Sequence, residues 1–162
     1  MRVLIISDTH RRDEVFPQVL QQAGPVDMVL HAGDAEGSEY YYRDLSGVLP
    51  SEFRYVAGNN DFFTRAPQEE LFYIGPHRTL LTHGHRYGVS LGDARLRDEA
   101  RARGAAIVVY GHTHKPVAEY EDGILVLNPG SLAYPRQSDR RPSYLLLDVA
   151  EDGALSFAIQ KL

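Results

Sequence analysis

Five short polar clusters carry most of the chemistry this sequence can offer. Asp8-Thr9-His10, Gly33-Asp34, Gly58-Asn59, His83-Gly84-His85 and Gly111-His112-Thr113-His114 gather five of the seven histidines in a chain of 162 residues. Imidazole nitrogens and carboxylate oxygens bind divalent metals and exchange protons near neutral pH. Taken singly, each cluster has an ordinary reading. Asp8-Thr9-His10 can be a helix cap followed by a surface histidine, and Gly33-Asp34 and Gly58-Asn59 can be plain turns. The two His-x-His pairs also fit solvated loops. Taken together the odds change, because independent turns have no reason to place Asp, His, Asp, Asn and three further histidines after successive apolar runs. With no cysteine in the chain, a disulfide framework and a thiolate metal site are both excluded.

The elements that must position these clusters follow from the pattern. Val3 to Ile6, Met28 to Leu30 and Arg54 to Val56 read as strands, the first two as buried apolar runs. Asp13 to Ala23 and Ser38 to Leu45 read as the helices between them. Asp13 is the expected cap, Pro17 is tolerated only near the first turn, and Gly24-Pro25 stops the helix. Leu71 to Ile74 and Arg78 to Thr82 flank the turn pair Gly75-Pro76. Asp93 to Ala102 is a charged helix, and Ile107 to Tyr110 is another buried strand. Asp122-Gly123 and Asp152-Gly153 each separate two strand-like runs, a hairpin signal: Val117–Tyr120 with Ile124–Leu127, and Tyr144–Val149 with Leu155–Ile159. The alternation of strand and helix predicts one α/β domain over residues 1–162, with two sheets and parallel crossovers. Each of the five clusters then sits at the C-terminal tip of a core strand. Such tips converge on one edge of an α/β sheet, where ligands bind. The glycines at 33, 58, 84 and 111 permit sharp turns and close approach of the backbone.

Apolar residues make up 43% and charged residues 24%, which argues against wholesale disorder. The formal charge of −5 argues against a stable nucleic-acid partner. The apolar run near the start, Val3 to Ile6, is too short for a signal-peptide core or a membrane span, so a cytoplasmic location and no membrane partner are expected.

In the order and spacing of its clusters the sequence resembles the calcineurin-like metallophosphoesterase superfamily. Within it, the sequence resembles the small bacterial and archaeal phosphodiesterases that are also similar to the retromer scaffold subunit. The likeness runs from Asp8-Thr9-His10 to Asn128-Pro129-Gly130-Ser131. It implies a four-layer αββα sandwich of two mixed sheets, with helices on the outer faces and the metal site at the sheet edge. It implies that Asp8, His10 and His114 hold one divalent ion, that Asn59, His83 and His112 hold a second, and that Asp34 bridges both. Mn is the first choice, with Ni, Fe or Zn as alternatives for such a donor set. The implied reaction is attack of a metal-bridging hydroxide on a small phosphodiester. A phosphomonoesterase or a nucleotide phosphoanhydride hydrolase is the alternative, and a protein-interaction scaffold with a vestigial site is the rival from another class. Relatives are often dimers or tetramers, so a homodimer or homotetramer is implied for this chain, with its tyrosine cluster and C-terminal hairpins as candidate contact surfaces.

One position departs from the family pattern. Many members carry a histidine directly after the metal-binding asparagine, and here that catalytic position is Asn60, whose amide cannot act as a general acid. His85 is the candidate to take the role. Among the remaining candidates, His31 reads as a packed core histidine and His77 as an exposed turn residue. Tyr40, Tyr41 and Tyr42 read as core or subunit contacts more than as a stacking lip. Phe62 and Phe63 fit either a substrate border or a buried anchor, and Arg136 fits a surface arginine better than a phosphate contact.

Overall fold

The computed structural model describes residues 1–48 and 52–162, with the backbone alone for 46–48. The first sheet is built on three parallel strands, β1 (Arg2–Ile6), β2 (Met28–His31) and β3 (Glu52–Tyr55). The second contains β4 (Glu69–Ile74), β5 (His77–Thr82), β6 (Ile107–Val109), β7 (Pro116–Glu121) and β8 (Ile124–Pro129). Strands β9 (Ser143–Val149) and β10 (Leu155–Lys161) return antiparallel to complete the first sheet in the order β10-β9-β1-β2-β3. The second sheet runs β4-β5-β6-β8-β7, with β5, β6 and β8 parallel. Both sheets are therefore mixed.

Alternation along the strands divides the apolar residues among three cores. Val3 and Ile5 of β1 pack with Ile107, Val109, Leu125 and Leu127 between the sheets. Leu4 and Ile6 point the other way, against Phe16 and Val19 of α1 (Phe16–Ala23) and Tyr42 of α2 (Glu39–Val48). On the far side, Leu80, Val108 and Val126 meet Leu96 and Ala100 of α3 (Ala94–Ala102). A strand covered on both faces has no polar face to show, which is why β1, β2 and β6 read as continuous apolar runs. The result is the expected four-layer αββα sandwich.

Several local expectations need correcting. The first helix begins as a 3-10 turn over Asp13–Val15, and no side chain caps it. The Asp13 carboxylate instead accepts hydrogen bonds from Ser38 Oγ at 2.7 Å and Tyr42 OH at 2.6 Å, tying the start of α1 to α2. β3 is an edge strand and only partly buried, not a core strand. His77 is half-buried, with Nε2 donating to the Gly153 carbonyl at 2.7 Å, rather than exposed at a turn. Tyr42 is fully buried while Tyr40 and Tyr41 are exposed, and Phe62 and Phe63 are exposed rather than buried anchors. Among the described residues no helix is long and apolar enough to cross a membrane.

Candidate metal centre

The seven residues implied as ligands come together at the C-terminal tips of β1, β2, β3, β5 and β6. Asp8 Oδ1 lies 3.0 Å from His114 Nε2 and 4.0 Å from both His10 Nε2 and His83 Nε2. Asp34 Oδ2 lies 3.5 Å from His83 Nε2 and 3.9 Å from His10 Nε2, between the two histidine groups. Asn59 Oδ1 lies 3.1 Å from His83 Nε2 and 2.8 Å from His112 Nδ1. Among the described residues, two sets of ligand atoms are compact enough to hold a cation, Asp8 with His10 and His114, and Asp8 with Asp34 and His83.

The backbone around them is under visible constraint. Of the implied ligands, Asp8, His10, Asp34, His112 and His114 all have φ between +44° and +65°. Left-handed backbone costs a residue with a Cβ roughly 1–2 kcal/mol, so the surrounding structure must enforce it. Gly58 and Gly111 are needed for a different reason. A Cβ on Gly58 would overlap the Asp34 carboxylate, and one on Gly111 would overlap Ser7 Oγ and crowd Asp8.

Hydrogen bonds outside the centre decide which ring nitrogens face in. His83 Nδ1 donates to the Ala32 carbonyl at 2.7 Å, and His114 Nδ1 donates to the Tyr134 carbonyl at 2.8 Å. His10 Nδ1 pairs with Glu36 Oε1 at 2.6 Å. In each neutral ring the proton is thus held on Nδ1, and Nε2 presents a lone pair inward. His10 Nε2 and His114 Nε2 face each other at 3.4 Å. Asp8 Oδ2 is occupied by Ser7 Oγ at 2.6 Å and the His112 N–H at 3.1 Å. Asp8 Oδ1 is buried without a hydrogen-bond partner. Lone pairs facing lone pairs around two carboxylates require a cation. The donor set of carboxylate, carboxamide and imidazole fits Mn, Fe, Ni or Zn.

When no metal is bound, protons serve as that cation. Burial pushes the Asp8 carboxyl up, but the His114 imidazole against it, the charge of His83 and the Ser7 hydroxyl outweigh this and leave it below its ordinary value. Burial likewise opposes ionisation of Asp34, and His83 with the two Asn60 hydrogen bonds brings it well below the usual carboxylate range. Burial lowers His83, yet Asp34 and Asp8 raise it overall. His112 and His85 are both lowered, chiefly by burial and then by the charge of His83. The two carboxylates have folded pKa values below their unfolded ones, so their stabilisation is present above about pH 4 and is lost on acidification. His83 has a raised folded pKa, so its contribution is full below about pH 6.5 and is lost as pH rises through the folded value. His112 and His85, with lowered folded values, gain stabilisation as pH rises toward about 6.5, so urea midpoints of metal-free protein should peak near that pH, and Asp8→Asn should flatten the acid side. A midpoint that keeps rising from pH 5 to 9 would contradict this.

Some residues that organise the site lie outside the implied set. Asp61 accepts from the backbone N–H groups of Asp34 and Gly58 at 2.7 Å and of Glu36 at 2.6 Å, fastening two tips together. Ser131 Oγ donates to the Asp8 carbonyl at 2.7 Å, and Asn128 Nδ2 to the Gly111 carbonyl at 2.8 Å. Glu36 gave no signal in the sequence beyond following Asp34. Asn60 donates to Asp34 through its N–H at 2.9 Å and its Nδ2 at 2.6 Å. The His85 ring lies 5.4 Å from that of His83 and 6.1 Å from that of His112, at the rim of the centre. His31 is a core histidine as expected. Gly33 N–H donates to its Nδ1 and its Nε2–H donates to Thr9 Oγ1 at 3.0 Å, while burial pushes its pKa down to about 4. Arg136 is exposed, with its backbone N–H on the His114 carbonyl at 3.0 Å.

A two-sheet sandwich with this donor set on its edge defines a metallophosphoesterase. Residues 1–152 match the calcineurin-like phosphoesterase superfamily domain, and the chain belongs to that superfamily. It is 34% identical over 155 residues to a protein named "Probable metallophosphoesterase" in Bacillus subtilis, covering 95% of this chain and 88% of the relative. A protein of the same name in Methanothermobacter thermautotrophicus is 36% identical over 156 residues, covering 92% and 86%. Among solved structures, Vps29 of Entamoeba histolytica, crystallised with Zn²⁺, superposes with a TM-score of 0.77 at 29% identity, covering 99% of both chains.

Proposed function

We propose that this metallophosphoesterase is a phosphodiesterase acting on a small substrate with two divalent ions, Mn by first preference. The observation that carries the reading is the ring of inward lone pairs, with Asp8 Oδ1 buried and unpartnered among three imidazoles. Asp8, His10 and His114 would hold one ion and Asn59, His83 and His112 the other, with Asp34 between them. Bound ions would supply an acidified water at neutral pH and neutralise charge on the phosphoryl oxygens.

The chain's own residues do the rest. Ser7 and the His112 N–H fix Asp8, Asn60 and Asp61 fix Asp34 and its loop, and Glu36 aims His10. In the reaction one water adds its oxygen to phosphorus, one P–O ester bond breaks, and the products are a phosphomonoester and an alcohol. His85 would give the departing oxygen its proton, and because burial lowers its pKa less of it carries that proton at neutral pH. Arg11, Glu36 and Asp61 line a cleft beside the centre.

The test is turnover of bis(p-nitrophenyl) phosphate, p-nitrophenyl phosphate and ATP by protein loaded with Mn. Diester hydrolysis should exceed the other two by at least about tenfold and vanish with EDTA. His85→Ala should slow alkyl leaving groups far more than p-nitrophenolate, since general acids contribute about 10²–10⁴-fold only where the leaving group needs one. Equal loss on both would remove His85 from the mechanism. The likeness to Vps29 favours a second reading, an interaction scaffold. Absence of turnover on all three substrates by protein shown to contain metal would move the assignment there.

A further inference from the structure

Tyr40, Phe62 and Phe63 face water beside the metal centre, Tyr40 with the Arg43 guanidinium 4.8 Å from its ring centroid. They are 59%, 78% and 99% exposed, whereas Tyr42, two residues from Tyr40, is fully buried in the core beneath α2. None of the three belongs to an apolar core. Leaving large apolar surface in water forfeits the burial that a ring would otherwise gain. With Arg11, Asn60 and Asp61 they line one cleft of about 360 Å³. This is at the small end for a ligand site, enough for one ring system and too little for a polymer.

Two walls of the cleft are tied to residues of the centre. Asn60 holds Asp34 through both its N–H groups. Arg11 directly follows His10, and its Nε donates to the carbonyl of Glu36, the residue whose side chain holds the His10 ring. A group lying in the cleft is therefore joined to whatever sits between Asp34 and His10 by only a short covalent reach. Aromatic faces, a planar guanidinium and a carboxamide make a surface for a flat ring, which stacks without needing a specific hydrogen-bond pattern.

We propose that this cleft beside Asp34 binds a flat aromatic or heteroaromatic ring carried on one arm of the phosphate ester. The subsite rests on the phosphoesterase reading and adds its specificity: a diester with an aryl or nucleoside arm over one with two alkyl arms.

The test uses the full chain loaded with Mn and measures binding by isothermal titration calorimetry, so that it does not depend on turnover. The probes are methyl phosphate, phenyl phosphate and thymidine 5′-monophosphate. The ring-bearing probes should bind at least about tenfold more tightly than methyl phosphate, the usual scale of one base–aromatic stack. The Phe62→Ala/Phe63→Ala variant should lose that advantage while binding methyl phosphate as before. Tightness confined to phenyl phosphate assigns the cleft to aryl groups, and tightness confined to the nucleotide assigns it to nucleobases. Equal binding of all three probes overturns the proposal, and so does a double variant that keeps the ring preference or changes only the oligomeric mass. If that variant does not fold, Tyr40→Ala tests the opposite wall by the same ratio. Turnover of methyl p-nitrophenyl phosphate, measured separately, decides the phosphodiesterase reading. Turnover without ring preference sinks the subsite alone, and ring preference without turnover sinks the phosphodiesterase alone.

Discussion

Asp34→Asn is expected to lower kcat on a diester by at least about 10³-fold while leaving the chain folded. Asp34 Oδ2 stands within 4 Å of a histidine nitrogen on each side, 3.5 Å from His83 and 3.9 Å from His10. Asp8 also reaches histidines of both groups, and it is the family resemblance that implies the bridging position for Asp34. An amide of the same shape removes a full negative charge from a buried position and offers one oxygen in place of two. Metal content should fall from two ions per chain to one or fewer, read by inductively coupled plasma mass spectrometry after desalting. A 10³-fold loss corresponds to about 4 kcal/mol of transition-state stabilisation, within what two-metal activation supplies. Folding is spared because the Asn60 amide can rotate its own oxygen toward the new Nδ2, while the Asn60 N–H keeps an oxygen acceptor. Retention of both ions with kcat within tenfold of the parent chain would remove Asp34 from the bridging role. Asp61→Asn makes a useful contrast, because Asp61 holds backbone N–H groups of the tips without being an implied ligand and should loosen the site without emptying it.

The fold was readable where burial on both faces left continuous apolar runs, as in Val3 to Ile6 and Ile107 to Val109. It was readable too where Asp-Gly pairs marked hairpins: Asp122 and Gly123 adopt φ of +51° and +78°, the two left-handed residues such a turn requires. That the seven implied ligands cluster was legible because each lies within five residues of a strand's C-terminal end, so that chain order reports position in space. Their supporting residues were not legible in the same way. Glu36 and Asp61 act through backbone N–H groups and one imidazole supplied by distant loops, and no spacing rule links an acidic side chain to an amide in another loop. Asp13 was misread for a related reason. A lone acidic residue before a helix fits a cap, and only the placement of α2 shows Ser38 and Tyr42 as its partners. The tyrosine run could not be divided by sequence either, since helical spacing sends one ring to the core and leaves the others in water without saying which faces a ligand.

Gly58→Ala should disrupt the centre through a single added methyl group. The φ of Gly58 lies outside the left-handed region, so alanine could adopt its backbone freely. The penalty comes from contact alone: the new Cβ falls on the Asp34 carboxylate and its backbone nitrogen. The loop cannot simply retreat, because the Gly58 N–H is held by Asp61, the same carboxylate that holds the Asp34 N–H. Overpacking of this kind costs about 1–3 kcal/mol, a fall in Tm of roughly 2–12 °C for a chain of this size. The effect on rate should be larger in proportion. Displacing Asp34 by about 1 Å misplaces the reacting groups and costs on the order of 10²-fold. Gly123→Ala supplies the comparison. That position has φ of +78° and nothing within 4 Å of an added Cβ, so alanine there meets backbone strain of about 1–2 kcal/mol and no neighbour. Thermal melts should then show both variants destabilised, and rate measurements below both melting points should show only Gly58→Ala impaired. Equal kcat in the two would mean that the close approach of the β3 tip to Asp34 is a packing detail with no bearing on catalysis.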